Sequence, residues 1–473
     1  MLFRSFVTTC TICFLLFWPA SKGISQINPF ETGTVIDTVR CRAKPEQTYA
    51  LYLPSDYTRD RTWPIIYAFD PVARGAKPVR LLKAAAEKYG YVVVGSNNSR
   101  NGPMQPQFDA ANALSRDTHI RFSLDPNRLY TTGFSGGARL ACTIAVQTGR
   151  IAGVIACGAG FSPNYPPTSV VSFAFAGTVG NRDMNYTEMR HFSRKLDKLE
   201  YPNRILIFDG GHEWPSQEIF TEAVEWLELQ AMKRGTKPRD DTFIDTLFTQ
   251  RLNKAKELEN SDRIFAAYNA YCQIAEDFSE LQDLESIENE LERWEESKIV
   301  KEALKEEKRR EEKELKYLDK YVKAFNSIDV NDLQDGEFKK RDWWEDETED
   351  LREKLTEAES ERKKLMFRRI LDWMWRRCSE QSSFAFRQNK PKEALIYVEI
   401  WNAVLPERPY PTYNLARAYA VNGRVDRGLL ALEEAIRLGF RNVELMETDP
   451  YLSSLRDEKQ YRNLIAELKH ETF

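Results

Sequence analysis

Between Arg128 and Ala145 the chain reads Arg-Leu-Tyr-Thr-Thr-Gly-Phe-Ser-Gly-Gly-Ala-Arg-Leu-Ala-Cys-Thr-Ile-Ala. A β-prone run ends at Gly133, Ser135 stands among glycines, and a helix-compatible apolar pattern starts directly after it. Few backbone paths satisfy that order. A strand giving way to a helix within one residue forces strained angles on the serine, so its neighbours must lack bulky β-carbons. Such a turn lifts the hydroxyl clear of the sheet. It also puts the Gly136 N–H at a helix start, where backbone donors face developing negative charge.

The surrounding pattern supplies the sheet that this turn needs. Residues 33–53 alternate apolar and polar as two early strands would, and Trp63–Phe69 is a short continuous apolar run, as in a strand buried on both faces. A helix follows from Pro78 to Tyr89, then a strand over Tyr91–Gly95 and a helix over 106–121. After the Ser135 strand and helix, Ile151–Cys157, Val170–Ala176 and Arg204–Phe208 read as strands, with helices over 186–199 and 216–232. Such alternation predicts crossover connections and a mostly parallel sheet with helices on both faces, from about 33 to 232.

At 473 residues the chain has room for more than one domain. Its formal net charge of -4 gives no global field that would call for nucleic acid or a membrane surface. Residues 1–25 read as a secretory signal: Arg4, an apolar run from Phe6 to Trp18, then small residues up to Ser25. That predicts a secreted or periplasmic protein with no stable membrane span after signal removal; an uncleaved anchor is the alternative. Cys41, Cys142, Cys157, Cys272 and Cys378 are too scattered for a disulfide framework, and Cys142 and Cys157 read as small core residues. The four histidines never approach metal-ligand spacing, so no metal or other cofactor is expected.

A polar, turn-rich joint over 233–241 is expected to close the first domain, which begins at 26. From 242 to 379 the composition is charged and helical, consistent with long paired helices or a short coiled coil. Residues 380–473 carry an internal period. Tyr413, Leu415, Ala416, Tyr419, Gly423, Gly428, Leu432 and Ala435 resemble the tetratricopeptide pattern, and a 34-residue shift sets Ala394 against Gly428 and Val398 against Leu432. A weaker third unit is read at Ala267, Tyr271 and Ile274. Gly428 and Phe440 stand where that family has Ala and Pro, so the last unit is expected to act partly as a cap. The resemblance implies a surface for a protein partner.

Gly133-Phe134-Ser135-Gly136-Gly137 fits G-x-S-x-G, and residues 33–232 resemble cap-less α/β-hydrolase esterases of the carboxylesterase, feruloyl esterase and polyhydroxybutyrate depolymerase kind. The resemblance implies hydrolysis of small or polymer-borne esters through an acyl-enzyme, with the order serine, acid, histidine along the chain. His212 follows a buried strand in a Gly-rich turn and is the expected base; His119, His191 and His470 have no comparable placement. Asp183, in the loop after the penultimate strand, is the expected orienting acid, with helix capping as its bland alternative. Asp209 and Glu213 are rivals that sit awkwardly near His212 in sequence. Gly136 is one expected oxyanion donor. Val72 is the candidate for the second, since the family's His-Gly is Asp70-Pro71 here and Pro71 has no N–H. Asn97, Asn98 and Arg100 are candidates to line the substrate cleft; a satisfied turn is the competing reading. Two functional alternatives stand beside the esterase: a serine peptidase, and a hydrolase-like scaffold without catalysis.

Overall fold

The computed structural model describes residues 30–334 and 337–471; the expected signal over 1–25 lies outside them. In chain order the first part of the fold is β1 (Val35–Arg40), β2 (Thr48–Tyr52), β3 (Trp63–Phe69), α1 (Ala76–Tyr89), β4 (Val92–Ser96), α2 (Met104–Arg121), β5 (Leu124–Phe134), α3 (Gly136–Thr148), β6 (Gly153–Cys157), β7 (Ala174–Gly180), α4 (Tyr186–Asp197), β8 (Asn203–Phe208) and α5 (Gln217–Lys233). The eight strands form one sheet in the order β1-β2-β4-β3-β5-β6-β7-β8. The β1–β2 and β2–β4 pairings are antiparallel and all others parallel.

Every residue of β3, β4, β6 and β7 is buried, as their unbroken apolar runs require when helices cover both faces. One core packs Ile65, Tyr67 and Val154 against α2 and α3; the other packs Ile66, Tyr130 and Ile155 against α1 and α5. Cys142 lies in the first core and Cys157 in the second, both as thiols. The strand expected over 170–176 begins four residues later. Val170 is 88% exposed in a turn, and the ladder to β6 starts only where Ala174 meets Gly153. The local β propensity of Val170 and Val171 lost to the register of the parallel neighbour.

The chain divides into two compact units between Lys308 and Arg309. The segment 233–241, expected as a joint, therefore lies inside the first unit. There α6 (Asp241–Asn260), α7 (Ile264–Phe278) and α8 (Glu285–Glu295) share a core with Leu229 and Met232 of α5. Arg204 of β8 pairs with Asp277 of α7 and, at 2.7 Å, with Glu222; Arg251 of α6 joins the same Asp277. Ala267, Tyr271 and Ile274 are buried in this packing. The division falls within α9 (Lys298–Asn326).

The second unit continues with a two-strand ladder, β9 (Leu333–Gln334) and β10 (Glu337–Phe338). Then come α10 (Arg341–Glu357), α11 (Glu361–Arg387), α12 (Pro391–Val404), α13 (Pro409–Val421) and α14 (Val425–Arg437), followed by short helical segments over 443–456 and a last helix, Lys459–Glu471. Its α14 begins 34 residues after α12, and Ala394, Ala416 and Gly428 are buried where these helices pack. A β-carbon at Gly428 would sit 3.1 Å from the Leu455 side chain and 3.4 Å from the Ala416 carbonyl oxygen, which accounts for the smallest residue there. Among the described residues no helix is long and apolar enough to cross a membrane.

Candidate active site

Phe69 of β3 and Gly133 of β5 are register partners, so two neighbouring strands end together at the carboxyl edge of the sheet. At the end of β5, Ser135 takes φ 54° and ψ −119°, a conformation that costs a side-chain-bearing residue on the order of 1–3 kcal/mol. The Ser135 N–H donates to the Cys157 carbonyl at 2.8 Å, which holds the turn. Two of the glycines around it are explained by backbone approach. A β-carbon at Gly133 would lie 2.2 Å from the Gly137 carbonyl oxygen, and one at Gly137 would lie 2.0 Å from that of Phe69. The helix is pressed onto the strand ends too closely for any side chain there.

The structure brings His212 and Asp183 to this turn. His212 Nε2 is 3.0 Å from Ser135 Oγ, and its Nδ1 is 2.9 and 3.0 Å from the two oxygens of Asp183. A carboxylate accepts from Nδ1–H, which leaves the Nε2 lone pair facing the hydroxyl. Asp183 is fully buried, and its Oδ1 also accepts the Asn185 N–H at 2.8 Å. The Asn185 side chain donates to the Gly158 carbonyl at 2.7 Å. Gly158, at φ +65°, passes beneath the pair: a β-carbon there would stand 3.1 Å from Asp183 Oδ2 and 3.3 Å from His212 Cε1. The imidazole rests on the Phe134 ring with centroids 4.6 Å apart, and Phe134 in turn packs on Trp214.

The rival carboxylates are engaged elsewhere. Asp209 is largely exposed and binds Arg182 at 2.8 Å, while Glu213 Oε1 accepts the Gly211 N–H at 3.1 Å. His119 lies within α2, its Nδ1 2.8 Å from the Ser115 carbonyl oxygen, and burial holds its ring below the usual histidine range. Among the described residues no cluster of three His, Cys, Asp or Glu could hold a metal ion.

The oxyanion side departs from expectation. The Val72 N–H donates to Asp70 Oδ1 at 2.9 Å, so it is not free to meet a substrate oxygen, and the assignment of Val72 as second donor is corrected. The physical reason lies in the Asp70 carboxylate, fully buried at the end of β3. It also accepts the Arg74 N–H at 3.3 Å, the Arg74 guanidinium at 3.0 and 3.1 Å, and the Trp214 indole N–H at 2.9 Å. Burial alone would raise its pKa; these donors outweigh that and hold it below the usual carboxylate range. Ala73 donates to the Asp70 carbonyl at 3.0 Å.

Asn97 and Asn98 serve as turn residues. Asn97 Nδ2 donates to the Asp37 carbonyl at 3.0 Å, and Asn98 binds the Thr48 N–H and the Glu46 carbonyl. Arg100 is exposed and forms an isolated bridge with Val72. The residue missed in the sequence is Asn101. Its carboxamide lies against Gly136, with Oδ1 only 1.9 Å from where a β-carbon of residue 136 would be.

No family model matches the chain. A stretch of 87 residues, 17% of the chain, is 33% identical to a chloroplastic protein of Arabidopsis thaliana; the match spans a quarter of that relative's length. Among solved structures, the chain is similar to the S-formylglutathione hydrolase FrmB of Staphylococcus aureus, at 13% identity and TM-score 0.34, over 43% of this chain and 99% of that one. It is also similar to an esterase of Pyrobaculum calidifontis, at 14% identity and TM-score 0.34, over 43% and 86%. A ferulic acid esterase matches at 15% identity and TM-score 0.33, over 41% and 96%. Likenesses at this level carry no weight for activity. Strand order, strand direction and the strained serine at the end of β5 make the first part of this chain an α/β-hydrolase fold, followed by a helical region.

Proposed function

We propose that the chain is a serine hydrolase that cleaves carboxylic esters through an acyl-enzyme. The observation that carries this reading is the unbroken hydrogen-bonded line from Ser135 through His212 to buried Asp183, three groups drawn from 48 and 29 residues apart along the chain. In the proposed reaction Ser135 Oγ bonds to the acyl carbon while His212 Nε2 takes its proton. The carbonyl electron pair moves onto oxygen, where the Gly136 N–H receives it. The pair returns as the alcohol leaves with the proton from His212. Water, deprotonated by the same imidazole, then adds to the acyl carbon, and the acid leaves as its bond to Ser135 Oγ breaks and His212 returns the proton to Oγ. Asp183 holds the ring through its bonds to Nδ1.

The test is p-nitrophenyl acetate turnover. Ser135→Ala should lose at least about 1,000-fold in kcat; unchanged turnover would remove the reading. The serine peptidase reading uses the same three groups and differs only in substrate. The scaffold reading draws on the self-occupied Asp70–Gly75 loop, and turnover that depends on Ser135 would rule it out.

Export by the 1–25 segment, to the periplasm or beyond, belongs to the same proposal. So does a tetratricopeptide-like role for residues 380–473 in docking a protein partner or positioning substrate; the 34-residue spacing of α12 and α14 supports it.

A further inference from the structure

An oxyanion needs two donors to be held firmly, and the proposed site has one clear backbone N–H, that of Gly136. In the loop after β3 the donors nearest the strand end are engaged. Pro71 lacks an N–H, and those of Val72, Ala73 and Arg74 are all spent on Asp70. Gly75 turns toward β4, where a β-carbon would fall 2.2 Å from the Gly95 carbonyl oxygen.

The loop after β4 comes closer to the serine turn. The Asn101 N–H donates to the Pro71 carbonyl at 2.8 Å, Arg100 bridges Val72, and Gln107 Nε2 holds the Gly102 carbonyl at 3.1 Å. Backbone on both sides of Asn101 is thus fixed, and its carboxamide is delivered onto Gly136. A β-carbon at residue 136 would lie 1.9 Å from Oδ1, 2.7 Å from Cγ and 3.0 Å from Nδ2. Gly136 opens α3 without a positive φ, so backbone strain does not demand a glycine there. At Gly133 and Gly137 the crowding group is backbone; at Gly136 it is the end of the Asn101 side chain. Rotation about the Cβ–Cγ bond exchanges oxygen and nitrogen, so the same seat can present an N–H.

We propose that the Asn101 carboxamide is the second oxyanion donor, a catalytic residue whose Nδ2–H joins the Gly136 N–H on the substrate oxygen as negative charge develops. The inference rests on the serine-hydrolase reading and adds to it the group that replaces the backbone donor of the β3 loop. Asn101 is exposed in a loop, so its replacement should leave the fold intact, checked by circular dichroism and thermal midpoint.

Asn101→Ala and Asn101→Asp are compared with the unaltered protein on p-nitrophenyl acetate. The kcat of Asn101→Ala should fall roughly 10- to 1,000-fold with KM within about three-fold, since the lost bond forms only in the transition state. Asn101→Asp should fall at least as far, because a carboxylate has no N–H and repels the oxyanion. Asn101→Gln, which keeps the donor, should recover part of the rate. Inhibition by benzeneboronic acid, whose tetrahedral adduct on Ser135 places an oxygen in the same position, should weaken in parallel with kcat/KM. A kcat for Asn101→Ala within about two-fold of the unaltered protein, or unchanged boronate inhibition, overturns the proposal. If Ser135→Ala, run beside it, abolishes turnover while Asn101→Ala does not, the serine mechanism stands and only this assignment falls. If Ser135→Ala keeps its turnover, both fall.

Discussion

The ends of β5 and β3 lie side by side, Gly133 opposite Phe69, yet they do opposite things with their backbone donors. The β5 end turns into a helix within one strained residue and leaves the Gly136 N–H at a helix start. The β3 end runs into a loop that folds onto its own carboxylate, so that Asp70 consumes the donors of Val72 and Arg74. A short strained turn presents polar groups outward; a loop with a buried acceptor satisfies itself. The Asp70 loop instead acts on the imidazole side, because the same carboxylate holds the indole of Trp214, two residues after His212.

Breaking the serine side should be the costlier change. Asp183→Asn keeps the shape of the pair but favours the wrong imidazole tautomer, and kcat for p-nitrophenyl acetate should fall about 1,000- to 10,000-fold. A melting curve close to that of the unaltered protein would separate this loss from misfolding. Gly137→Ala strikes both strand ends at once, since its β-carbon would lie 2.0 Å from the Phe69 oxygen. It should destabilise the fold by about 1–3 kcal/mol or more, read from the urea midpoint.

Asp70→Asn tests the β3 side and should cost about 1–2 kcal/mol at neutral pH through weakened bonds to Arg74 and Trp214. The pH dependence has a definite sign. Asp70 is held below the usual carboxylate range, so its stabilising contribution is full above that range and is lost as pH falls through the lowered folded value. Urea midpoints of the two proteins should therefore differ near pH 7 and converge in strong acid; a constant gap would contradict the assignment. Asp209→Asn and Glu213→Gln should leave turnover within about two-fold, because neither carboxylate meets His212.

Much of this was legible in the chain. The order of elements followed from apolar runs alternating with helical patterns, and Ser135, Asp183 and His212 met because an α/β-hydrolase sheet brings successive strand ends to one edge. The start of β7 was not legible, since Val170 and Val171 have strand propensity but no ladder partner in register. Nor was the extent of the first unit. The apolar stripes of α6–α8 announce burial without naming α5 and β8 as the surfaces that receive them. Val72 failed because an Asp at the end of β3 offers its side chain to the N–H two residues on, a turn preference that composition around Pro71 obscured. Asn101 escaped because its seat is set by the approach of two loops, which no periodicity records.

The central claim is that His212 and Asp183 activate the Ser135 hydroxyl. Labelling with a fluorophosphonate probe, mapped by peptide mass spectrometry, tests it without assuming a substrate. One adduct is expected, on Ser135, forming at least about 100-fold more slowly in His212→Ala. No adduct on Ser135, or equal rates in the two proteins, would contradict it.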